Sequence, residues 1–80
     1  MPQTDPTAAH IDARGLHCPL PVIELSRAMQ EVAVGATVEI VSDDPSSRVD
    51  IPVWCRMKRH ELVDVREIDD AQTYLVRRIG

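Results

Sequence analysis

Between residues 19 and 32 the apolar side chains Val22, Leu25, Met29 and Val32 recur at helical spacing, with Glu24, Arg27, Gln30 and Glu31 on the opposite face. Proline is tolerated only in the first turn of a helix, so Pro19 and Pro21 mark its start. The β-branched run Thr37 to Val41 predicts a strand. A second helix is expected with Asp44 as N-cap and Pro45 at its first position. Val49, Val53, Trp54 and Met57 can share its apolar face, and Pro52 predicts a kink or a helix in two pieces. From Glu61 to Ile68, Val63 and Val65 alternate with charged neighbours, the period of a half-buried strand. Asp69-Asp70-Ala71-Gln72 then predicts a turn, and Thr73 to Ile79 a final strand. At the other end, a short strand is expected around His10 to Ala13, followed by a turn at Gly15. Residues 1–9 show no hydrophobic period and read as a disordered N-terminal tail.

The element order is therefore β-α-β-α-β-β within a single domain, residues 10–80. A β-α-β start requires a parallel strand pair, whereas a closing hairpin is antiparallel. Two amphipathic helices and four strands predict an α/β fold: a two-layer sandwich in which a mixed four-stranded sheet carries both helices on one face.

Composition adds exclusions. The chain has 80 residues, 44% of them hydrophobic and 28% charged, which argues against disorder. Phe is absent and there is one Trp and one Tyr, so the core must be built mainly from aliphatic side chains. A net charge of -4 has the wrong sign for a phosphate-binding surface, so no direct nucleic-acid binding is expected. No run approaches the ~20 apolar residues that cross a bilayer, and the first ten residues lack the pattern of a signal peptide. These features predict a soluble, cytoplasmic protein with no membrane partner. Its two cysteines then face a reducing compartment, where packing, metal binding or reactivity is a commoner use than a disulfide.

Cys18 carries the chemistry. It falls where the first strand has ended and the first helix begins, a position at which free N–H groups and the helix dipole favour the thiolate. A lowered thiol pKa is the expectation. Pro19 and Pro21 would stiffen the mount, and Arg14 and His17 are close enough in sequence to add positive potential. A buried, inert cysteine is the alternative, but it would gain nothing from the prolines on either side of Leu20.

Cys18-Pro19-Leu20-Pro21, preceded by Ile11-Asp12-Ala13-Arg14-Gly15-Leu16-His17, resembles the Cys-Pro-x-Pro box of the TusA-type (SirA-like) sulfurtransferases. A second block, Asp43-Asp44-Pro45 followed by Asp50-Ile51-Pro52-Val53-Trp54-Cys55, is similar to that family as well. The resemblance spans roughly residues 10–79. It implies a sulfurtransferase acting as a sulfur relay, without metal or organic cofactor, in which Cys18 accepts sulfane sulfur as a persulfide. The implied partners are a persulfide donor, such as a cysteine desulfurase or a rhodanese-like protein, and a downstream sulfur-acceptor protein. Relatives with this box serve tRNA thiolation, molybdenum-cofactor sulfur supply and sulfur oxidation.

Other residues carry weaker signals. Cys55 matches the family's second cysteine and is either a packed side chain beside Trp54 or a second thiol for Cys18. Asp43 and Asp44 are candidates for partner contact, although capping alone would explain Asp44. His10, His17 and His60 have no metal-ligand spacing with one another or with the cysteines, so no metal is expected. The rival function is a redox or regulatory interaction module that uses Cys18 and Cys55.

Overall fold

The computed structural model describes residues 7–80. Its elements are β1 (Thr7–Asp12), α1 (Leu20–Met29), β2 (Thr37–Ser42), α2 (Ser47–Lys58), β3 (Glu61–Ile68) and β4 (Ala71–Arg77). The sheet order is β1-β2-β4-β3. β1 runs parallel to β2, while β4 is antiparallel to both β2 and β3. The α/β architecture with a mixed four-stranded sheet and two helices is the one the hydrophobic pattern predicts. The tail does not keep its expected length: β1 already begins at Thr7, because Thr7 and Ala9 pair with Thr37 and Val38. Residues 1–6 of that tail lie outside the described residues.

One side of the sheet meets the helices, and strand alternation assigns its residues. Val38 and Ile40 of β2 and Tyr74 and Val76 of β4 stand opposite one another in register, and all four are buried. Leu25 and Met29 of α1, Ile51 and Cys55 of α2, and Ala13 complete the core. On the other side the His10 and Glu39 side chains hydrogen-bond at 2.6 Å, and ion pairs join Arg66 to Asp64 at 2.9 Å and Arg77 to Glu61 at 2.9 Å. Both outer strands break register once, β1 between Thr7 and Ala9 and β3 between Leu62 and Asp64.

Helix α2 departs from expectation in three ways. It starts at Ser47 with Ser46 as N-cap, so neither Asp44 nor Pro45 holds its predicted place. It runs from Ser47 to Lys58 as one helix despite Pro52. The missing N–H there costs the single bond it would have given the Arg48 carbonyl. Finally, its buried face is Ser47, Ile51 and Cys55; of the expected face Trp54 packs against the core, whereas Val49, Val53 and Met57 are exposed. The buried row begins at the start of the helix. Ser47 Oγ and Ser42 Oγ are buried and hydrogen-bonded at 2.7 Å, and Ser47 heads the inward i, i+4, i+8 row. The helix ends on Arg59 in the left-handed region (φ 61°), with His60 N–H donating to the Cys55 carbonyl at 2.8 Å.

The hairpin turn is tighter than predicted. Asp69 and Asp70 both take positive φ (50° and 65°), the geometry of a two-residue turn that matches strand twist, so β4 begins at Ala71. β3 lies at the sheet edge and is exposed along almost its whole length, with Val63 and Val65 both outside the core.

Candidate functional site

Three segments meet at Cys18. The loop after β1 turns at Gly15, whose φ of +85° is accessible to glycine at little cost. That loop delivers Cys18 to the head of α1, with Pro19 as N-cap and a cis Cys18–Pro19 bond. Across from it lies the β2–α2 loop, residues 43–46, anchored from beneath by Ser42 and Ser47; Ser42 Oγ also accepts the Asp44 N–H at 3.2 Å. Two aspartates of this loop hold the cysteine loop by its backbone. Asp43 Oδ1 accepts the Gly15 N–H at 3.0 Å, and Asp44 Oδ2 accepts the Cys18 N–H at 2.7 Å. Asp44 Oδ1 meanwhile accepts the Ser46 N–H at 3.2 Å, so one carboxylate ties both loops. The third segment is α2, from which Asp50 reaches the sulfur itself: Cys18 Sγ donates to Asp50 Oδ2 at 2.9 Å.

Cys18 is a free, exposed thiol and Cys55 a free, buried one. Their environments act on both in the same direction. The hydrogen bond to Asp50 raises the Cys18 pKa above the ordinary thiol value, and desolvation and the Asp50 and Asp44 charges add to it. Burial pushes the Cys55 thiol up to about 11.

The expectation of an acidified Cys18 is therefore corrected. Of the donors that the first turn of α1 was expected to offer, the Leu20 N–H is spent on the His17 carbonyl at 2.8 Å, and Pro21 has none. The first turn thus offers the sulfur fewer donors than expected, while two carboxylates act on it. Arg14 does not offset them either. Its guanidinium lies on Asp12, with Nη2 to Oδ2 at 2.8 Å and Nε to Oδ1 at 2.9 Å, and it pulls the Asp12 carboxyl down to about 2. His17 enters the site through its backbone carbonyl. Pro21 is buried and packs the first turn of α1 against the core, while Pro19 is exposed beside the sulfur.

The structure thus brings Cys18, Asp43 and Asp44 together and directs Arg14 elsewhere. Asp50 was not among the expected site residues, although it opens the second half of the second sequence block. Thirty-two positions separate it from Cys18, and only the packing of α2 beside α1 brings the two into contact. Among the described residues no group of three or more His, Cys, Asp or Glu side chains is arranged to hold a metal ion.

Comparison with known proteins agrees over nearly the full chain. The model of the family described as Sulfurtransferase TusA matches residues 9–78. The sulfur carrier protein TusA of Pseudomonas paraeruginosa is 43% identical over 72 residues, covering 90% of this chain and 89% of its own. That of Pseudomonas fluorescens is 36% identical over 77 residues, covering 96% and 93%. Among solved structures, a SirA-like protein from Desulfitobacterium hafniense superposes with a TM-score of 0.80 at 24% identity, over 90% of this chain and 99% of that one, which establishes the shared fold.

Proposed function

The chain belongs to the TusA sulfurtransferase family, and on that premise we propose that it is a sulfur relay in which Cys18 takes up sulfane sulfur as a persulfide and hands it to an acceptor protein. The observation that carries this reading is the contrast in access between two free thiols. Cys18 stands exposed on a loop held by Asp43 and Asp44, whereas Cys55 is 2% exposed within the core. A sulfur that two proteins must reach in turn belongs at such a rim. The donor is a protein persulfide of the cysteine desulfurase or rhodanese-like kind. The relay itself exchanges one S–S bond for another and requires no cofactor.

Apolar side chains border the site in the manner of a surface that proteins cover transiently. Leu20 and Ile23 on α1 and Val49 and Val53 on α2 are exposed, and Asp50 lies between the last two in sequence. The rival reading, a redox module pairing Cys18 with Cys55, gains nothing from a second thiol that is enclosed by Leu25, Met29 and Ile51.

The test is loading with a persulfide-generating cysteine desulfurase, read as intact mass without reductant. The wild type is expected to gain one sulfur, Cys18→Ser none, and Cys55→Ala as much as the wild type. Loading that survives in Cys18→Ser and vanishes in Cys55→Ala would overturn the assignment.

A further inference from the structure

We infer that Asp50 is a catalytic residue of the relay, the base that takes the Cys18 proton as the sulfur attacks and the acid that delivers it to the sulfur that leaves. The inference rests on the reading of Cys18 as the carrier and adds to it a proton path. Its starting point is a problem that the site geometry creates. Every charge acting on the thiol is negative: Asp50 from α2 and Asp44 from the β2–α2 loop. The cations nearby are engaged elsewhere, Arg14 with Asp12, Arg48 with Glu67 on β3, and Arg27 with Glu24 further along α1. Cys18 accordingly rests as a thiol at neutral pH, and the thiol is the poor nucleophile. A nucleophile held in its weak form needs an adjacent base, within hydrogen-bond reach of the proton to be removed. Asp50 Oδ2 meets that condition at 2.9 Å from Sγ, with the S–H directed at it.

The step balances without an oxidant or a reductant. When a cysteine persulfide R–S–SH docks, the Cys18 proton moves to Asp50 and the freed electron pair on Sγ attacks the terminal sulfur. The donor S–S bond breaks, its electron pair departs on R–S⁻, and Asp50 protonates that sulfur. The sum is Cys18–SH plus R–S–SH giving Cys18–S–SH plus R–SH. Delivery runs the same path in reverse. An acceptor thiol gives its proton to Asp50 and attacks the terminal sulfur, and Cys18 recovers the proton as its S–S bond breaks.

Asp44 cannot substitute. Its Oδ2 is committed to the Cys18 N–H and its Oδ1 to the Ser46 N–H, so it positions the loop. Asp50, half-buried and adjacent to exposed Val49, is within reach of both Cys18 and a sulfur arriving from outside.

The experiment compares the wild type with Asp50→Asn, which keeps the shape and an acceptor oxygen but cannot carry a proton. Glutathione persulfide serves as the sulfur donor in single-turnover loading from pH 6 to 9, and iodoacetamide measures thiolate reactivity in parallel. Two opposite changes are expected at pH 6.5. With one negative charge gone, Asp50→Asn should alkylate several-fold faster; with the proton acceptor gone, it should load sulfur about 100-fold more slowly. Wild-type loading should stay nearly flat from pH 6 to 8, while loading of Asp50→Asn climbs with the thiolate fraction. Asp50→Glu should recover part of the loading rate. If alkylation and loading rise together, Asp50 is only a brake on the nucleophile, and the inference falls. It falls equally if both rates drop or neither changes. Persistent loading of Cys18→Ser in the same assay would instead overturn the carrier assignment.

Discussion

The two cysteines of this protein share a chemical group and a raised pKa, and they differ in almost everything else. Cys55 is restrained by its surroundings as a whole: it lies among Leu25, Met29 and Ile51, and burial alone holds its thiol at about 11. Cys18 is restrained by contacts that can be released one at a time, the Asp50 hydrogen bond to its sulfur and the Asp44 hydrogen bond to its N–H. Burial suppresses a thiol until the fold opens. A carboxylate suppresses it until a proton moves, and the same carboxylate can then receive that proton. The comparison teaches that a high thiol pKa does not by itself distinguish an inert cysteine from a working one; the origin of the shift does.

The comparison breaks most visibly in alkylation of the native protein. Cys18 should react in the folded state, whereas Cys55 should wait for opening, which for a stability of ~5 kcal/mol makes it slower by roughly 10³-fold or more. Peptide mapping after iodoacetamide treatment measures the ratio, and guanidinium should abolish it. Comparable native rates would show that the core does not enclose Cys55.

Asp44→Ala sharpens the other side. Removing a negative charge and the tie to the Cys18 N–H should raise the alkylation rate of Cys18 several-fold near neutral pH and leave that of Cys55 unchanged. A fall in the Cys18 rate would mean that loop order matters more than charge.

A smaller effect is expected from Cys55→Ala, which deletes a buried sulfur without touching the rim. Chemical denaturation should show a loss of about 1 kcal/mol, with Cys18 reactivity unaltered. The same variant tests the pH dependence. A thiol whose pKa is raised from 9.0 to about 11 on folding supports the fold below pH 9 and loses that support as pH climbs to 11. Wild-type stability should therefore fall more steeply than that of Cys55→Ala across this interval. Parallel curves would place Cys55 outside the core in solution.

Most of the architecture was legible in the sequence because periodicity and punctuation agreed. The strand around Ile40, the α1 face of Leu25 and Met29, and the prolines at its head all fall where pattern and turn chemistry place them; the strand around Val65 forms as well, but at the sheet edge its valines stay outside the core. α2 was misread on its face. Val49, Val53 and Met57 form the more apolar row, and hydrophobicity alone turns them inward. The structure buries the row of Ser47, Ile51 and Cys55, where Ile51 and Cys55 join the core and Ser47 pairs with the buried Ser42 hydroxyl. No local signal announces that pair. The exposed place of Cys18 at the head of α1 was legible from its prolines, but the direction of its pKa was not. The expectation counted helix N–H groups and nearby cations in sequence. It could not count carboxylates arriving from 26 and 32 residues away, or see Arg14 turn to Asp12.

The relay proposed for this protein would require it to remain unattached between partners, and the irregular outer strands bear on that. A sheet edge with a long regular row of open backbone groups is a template on which another chain can add a strand. Here β1 loses its regularity between Thr7 and Ala9, and β3 between Leu62 and Asp64 in a segment that also carries Glu61, Arg66 and Glu67. Any strand arriving at either margin meets a step in the spacing, and at β3 a series of charges as well. The protein is thereby guarded against polymerising along its own sheet, and crowded solutions of it should stay dispersed.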